Sequence, residues 1–91
     1  MVEVFKTNVN NPADANLLID RIHKTFMDYE ANFDLHDRDN ILRVKCTTGA
    51  VQASLLINLL NDFGFLAEVL EDNHPSANIL LNRLGSYIQM N

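Results

Sequence analysis

Apolar positions along this chain switch between two periods. Residues 2–9 alternate loosely and are rich in β-branched and aromatic types, which predicts a first strand. Turn formers over residues 8–12 end it, and Asn11 directly before Pro12 fits an N-cap followed by proline at the first helical position. Asp14 then lies in the first turn, where a carboxylate favours the positive end of the helix dipole. From there to about Tyr29, Ala15, Leu18, Ile19, Ile22 and Phe26 recur at three- and four-residue spacing and form one stripe, with Asp20, Arg21 and Lys24 on the other side. The period drops to two at residues 31–36, with Ala31, Phe33 and Leu35 on one face. It does so again at 41–46, where Leu42, Val44 and Cys46 face in and Arg43 and Lys45 face out. The polar tetrad 37–40 between them reads as a hairpin connection. Thr47-Thr48-Gly49 breaks the strand, and either threonine can cap the next helix.

That second helix is expected over about 50–63, with Val51, Leu55, Leu59 and Phe63 sharing a face that Leu56 and Leu60 widen. Gly64 is placed to take the left-handed conformation at its end. Residues 65–70 are short and apolar around Glu68 and read as a last strand, followed by a polar turn over 71–75. The order is βαββαβ from residue 2 to about 72. Two strand–helix–strand units, each crossing over right-handed, joined by the central hairpin give an α+β, ferredoxin-like sandwich with an antiparallel sheet in the order 4-1-3-2. Both helices then cover one sheet face and leave the other open. Residues 1–72 make the domain and 73–91 an extension. There Ser76 can cap a short helix carrying Leu80, Leu81 and Leu84, and Gly85 can end it. Residues 86–90 could add a short strand or stay without structure. Leu80, Leu84, Tyr87 and Ile88 would be a costly exposed patch on a monomer, so the extension is expected to fold back or to pair with a second copy.

Composition narrows the function classes. Ninety-one residues suit one core, and 47% hydrophobic residues are enough to pack it. Twelve acids against seven bases leave a net charge of −5, which argues against nucleic acid or an anionic membrane surface as the main partner. No apolar run approaches the roughly 20 residues of a membrane span. The first residues lack the basic-then-apolar pattern of a signal peptide. The lone Cys46 excludes an internal disulfide and fits a reducing, cytoplasmic setting.

The element order, the domain size and residues 61–70 resemble the heavy-metal-associated domain of copper chaperones and metal-transporting ATPases. In that stretch, Asn61-Asp62-Phe63-Gly64-Phe65-Leu66-Ala67-Glu68-Val69-Leu70, a glycine followed by an aromatic leads from the second helix into the last strand. More narrowly, Asn32-Phe33-Asp34-Leu35 through Asp39-Asn40-Ile41-Leu42-Arg43-Val44 is similar to a group of small bacterial proteins of the Bacteroidetes type built on this fold. The resemblance implies the ferredoxin-like fold over residues 2 to about 72. In that family, function sits in a Met-x-Cys-x-x-Cys loop between first strand and first helix, whose thiolates hold soft Cu(I) or Zn(II). Here the loop is Asn8-Val9-Asn10-Asn11-Pro12-Ala13-Asp14-Ala15. The thiol positions fall near Pro12 and Ala15, or near Asn11 and Asp14, and none is Cys, His or Met. No metal ligand carries over.

Other chemistry is sparse. Asp34, His36, Asp37 and Asp39, with Asn40, could hold a hard or borderline divalent ion, but a hairpin wants the same residues for its turn, and the glycine and distal glutamate of a calcium loop are missing. Cys46 is either a reactive thiol or a small buried core residue. His23 reads as solvated on its helix, and His74 as a turn residue before Pro75. The loop 8–14 opens a helix and could meet an anion, yet it lacks glycine, and capping is its simpler role. The strand 41–46 has no aromatic to stack a base, as RNA recognition on this fold requires. The first loop has no arginine for an acyl-phosphate hydrolase, and no nucleophile–base signature occurs. The expectation is a non-enzymatic binding or interaction module without a cofactor. It would work through the open sheet face, the first loop and the C-terminal extension, in a homodimer or with a protein partner. Metal binding through Asp34, His36, Asp37 and Asp39 is the alternative, and a small-molecule regulatory or catalytic pocket at a dimer interface a third reading.

Overall fold

A computed structural model describes residues 1–70 of the chain. The elements are β1 (Val2–Thr7), α1 (Pro12–Thr25), β2 (Tyr29–Asp34), β3 (Ile41–Cys46), α2 (Ala53–Asp62) and β4 (Ala67–Val69). The four strands form one sheet in the order β2-β3-β1-β4, with every neighbouring pair antiparallel. This two-helix α+β layout is consistent with a ferredoxin-like arrangement. The extension's candidate residues, His74, Ser76, Leu80, Leu81, Leu84, Gly85, Tyr87 and Ile88, lie outside the described residues.

Side-chain alternation sets the two sheet faces. Phe5 of β1, Tyr29 and Ala31 of β2, and Leu42, Val44 and Cys46 of β3 are buried in one cluster with Ala15, Leu18 and Ile22 of α1 and Leu56 and Leu60 of α2. Both helices therefore pack on the same sheet face. The Asn11 cap forms as its sequence implies: its side-chain Oδ1 accepts from the N–H groups of Ala13 at 2.7 Å and Asp14 at 3.4 Å, with Pro12 opening the helix. Gly64 takes a φ of +88°, the left-handed region where a side chain would be strained.

Three local expectations are corrected. The first helix stops at Thr25, short of Tyr29. Phe26 is already extended, and Tyr29 opens β2 opposite Cys46, where its ring stacks on Phe26 at 4.7 Å between centroids. Neither Thr47 nor Thr48 caps α2. Both continue the β2–β3 pairing: the Thr47 N–H donates to the Asp28 carbonyl at 3.0 Å, and the Thr48 hydroxyl to the Asp28 carboxylate at 3.0 Å. The helix begins instead after Gln52, which supplies no side-chain cap. Finally, α2 buries Leu56 and Leu60, with Ala53 and Ile57 packed beside them, while Leu55 and Phe63 stay 42% and 40% exposed. The sequence offers this helix two adjoining apolar stripes, and a helix lying on a sheet can turn only one of them inward.

Candidate interaction surface

Two of the hairpin carboxylates, those of Asp34 and Asp37, shape the turn. Asp34 Oδ1 accepts from the His36 N–H at 3.1 Å, and Asp37 Oδ1 from the Asp39 N–H at 2.9 Å. These are Asx-type bonds that shape the connection and leave Asn40 at a positive φ of 47°. The loop is also tied down: the Thr7 hydroxyl donates to the Asn40 carbonyl at 2.6 Å, and the Thr7 N–H to the Asp39 carbonyl at 3.1 Å. Among the described residues, no three His, Cys, Asp or Glu side chains gather in a group that could hold a metal ion. Asp34, His36, Asp37 and Asp39 are thus close in sequence without converging on a point.

The first loop is likewise occupied. The N–H groups an anion would need are the ones Asn11 already accepts from. Asn8 clamps the approach to β4, with its Oδ1 accepting from the Leu66 N–H at 2.8 Å and its own N–H donating to the Leu66 carbonyl at 3.3 Å. Beside this clamp lies a hollow of about 320 Å³ between the end of β1 and the start of β4. Sequence reasoning could not foresee that link, since 58 residues separate its partners.

Cys46 is a core residue, 5% exposed, with Sγ 3.7 Å from the Thr48 hydroxyl. The Thr48 backbone N–H beside the sulfur holds the thiol below its ordinary pKa, outweighing the opposing effect of burial. His23 is exposed as expected, but it has a task. Its Nε2 accepts from the Ala31 N–H at 3.1 Å on the outer edge of β2, so α1 satisfies a donor that an edge strand would otherwise present.

Two large surfaces remain. On the open sheet face, opposite charges stand directly across strands: Glu30 faces Lys45, and Lys6 faces Glu68. Such pairs suit a hydrated face. Val2, Val4 and Leu70 gather at one end of it, next to Lys45 and Arg43. On the helix side, a groove of about 520 Å³ runs between α1 and α2. Leu55 and Leu59 of α2 with Phe63 at the helix C-cap form its apolar wall, and Phe26, just past the end of α1, closes the other side. Arg21 lies over the Phe63 ring at 5.7 Å, a cation–π contact at the rim, and Asp62 stands at the same end. No described helix is long and apolar enough to cross a membrane. Comparison with known proteins gives no match: neither a family model, nor a curated protein, nor a solved structure is similar to this chain.

Proposed function

We propose that this chain is a non-enzymatic interaction module of ferredoxin-like layout, resembling heavy-metal-associated domains but without their thiolate pair. Its docking surface is the α1–α2 groove. One observation carries the reading: Leu55 and Phe63 stay exposed on α2, with Leu59 half-buried between them, although Leu56 and Leu60 already fill the core. Contiguous apolar side chains left facing water cost stability on a monomer and mark a contact surface. The charged rim of Arg21 and Asp62 around an apolar centre is the arrangement interfaces use. The buried, unpaired Cys46 fits a reducing compartment such as the cytoplasm.

The test is affinity capture with three full-length baits compared by quantitative mass spectrometry: wild type, Leu59→Asp on the groove and Lys45→Glu on the open sheet face. Proteins whose recovery falls at least tenfold on Leu59→Asp and holds on Lys45→Glu are expected, a tagged copy of the chain itself included. Recovery that follows Lys45, or that ignores both changes, overturns the reading, as does the absence of any recovered protein. Circular dichroism confirms that each bait is folded.

A further inference from the structure

We infer that the occupant of the α1–α2 groove is a second copy of this chain, with α2 packed antiparallel on its partner's α2 about a two-fold axis through Leu59. The inference rests on the groove being a docking surface and adds the partner's identity.

The first support is spacing. Leu55, Leu59 and Phe63 succeed one another at intervals of four, on one helix face, with Leu59 in the middle. A two-fold axis through Leu59 sets Leu59 on its own copy and Leu55 on the partner's Phe63, then repeats that contact in reverse. Each apolar residue of the stripe meets another, as an isologous interface requires. An unrelated helix would need its own matching stripe, whereas this chain supplies one by construction.

The second support is the electrostatics of the helix ends. The α2 N-terminus has no side-chain cap from Gln52 and no acid in its first turn, and the last turn has no base. Asp62 stands instead at the C-terminal end, where the helix dipole disfavours a carboxylate. The C-terminal carbonyls of Leu60 and Asn61 are met by backbone N–H groups, but neither end of α2 carries a charge that offsets the dipole. Antiparallel pairing brings Asp62 alongside the first turn of the partner's α2, where a negative charge is favoured and Gln52 supplies no side-chain cap. The same step lines the two dipoles up head to tail. α1 shows the contrast: its N-terminus has Asn11 and Asp14, its C-terminal turn has His23 and Lys24, and it needs nothing from outside.

Sedimentation equilibrium on the wild-type full chain, with no substitution, gives the first readout. A concentration-dependent dimer is expected, together with a monomer for Leu59→Asp. The register is read by cysteine pairing in a Cys46→Ala background, after mild oxidation. Leu59→Cys alone should link to itself. Leu55→Cys and Phe63→Cys chains should each link to themselves at least tenfold more slowly, but link to one another readily when mixed. A wild-type chain that stays monomeric to millimolar concentration overturns the inference. So does a dimer in which all three positions link equally, or in which Arg43→Cys on the sheet face links instead. If the chain is monomeric while capture of another protein still depends on Leu59, the second-copy inference is lost and the docking surface stands. If capture is also insensitive to Leu59, both are lost.

Discussion

Along β1 the outward residues run Val2, Val4, Lys6, and along the β4 segment Leu66, Glu68, Leu70. Along α2 they run Leu55, Leu59, Phe63. Both faces expose apolar side chains, Leu66 at 67% and Leu55 at 42% among them. The difference lies in interruption. On the sheet a charge comes within two positions and meets its opposite on the next strand, as Lys6 meets Glu68. On the helix nothing breaks the stripe, and charge appears only at the rim. Single exposed apolar residues occur on both faces, so it is continuity at the period of the element that sets the α2 stripe apart. On a strand, period two lets the sequence alternate apolar and charged residues along one face. On a helix, positions four apart stack into a seam, and three leucine-sized residues suffice to make it continuous.

The contrast breaks most sharply within α2 itself. Leu56→Ala or Leu60→Ala should cost about 2–5 kcal/mol in urea denaturation, because each opens a cavity under the helix. Leu55→Ala, one position away, should cost under about 1 kcal/mol, since its side chain is largely in water. Similar losses at Leu55 and Leu56 would mean the stripe is part of the core and no docking seam exists. At the sheet's edge the effect is smaller. His23→Ala removes the acceptor of the Ala31 N–H and should cost roughly 0.5–1.5 kcal/mol, with faster amide exchange at Ala31. An unchanged exchange rate would show that the imidazole does not guard that edge. On the open face, Lys45→Glu puts like charges directly across from each other at Glu30 and should cost about 0.2–1 kcal/mol, less in high salt. A gain in stability there would contradict a charge-balanced sheet face.

The smallest expected effect concerns Cys46. The folded thiol ionises below 9.0, its ordinary value, because of the Thr48 backbone N–H. The unfolded chain therefore holds the proton more tightly between those two points. Wild-type stability relative to Cys46→Ala should rise as pH climbs through the folded value and level off above 9.0. It should fall away again as pH drops below the folded value. A difference between the two proteins that stays flat from pH 7 to 10 would show that the Thr48 contact does not stabilise the thiolate.

Much of the layout comes from local pattern. The alternation at 31–35 and 41–46 assigns Ala31, Leu42, Val44 and Cys46 to the inner face, and they are buried there. Asn11 before Pro12 gives the cap, and Gly64 the left-handed turn, because both depend on residues within one helical turn of each other. The hairpin's Asp34 and Asp37 were legible as either ligands or turn formers, and their hydrogen bonds belong to the turn. What pattern alone left open was long-range. Thr47 and Thr48 are good caps in isolation, yet Asp28 stands beside them only once β2 and β3 are paired. The Asn8 clamp on Leu66 and the His23 bond to Ala31 likewise exist only after distant elements meet.

The sequence by itself determined the order of strands and helices and which residues of β2 and β3 face inward, since those follow from period, while the ends of α1, β2 and α2 shifted by several residues once distant elements paired. It did not determine which of two apolar stripes α2 would bury. Rotation of a helix about its axis costs nothing locally, and it is fixed only by the shape of the sheet and of α1 beneath it. The tertiary structure made that choice, turning Leu56 and Leu60 inward, packing Leu59 partly against the core and leaving Leu55 and Phe63 exposed.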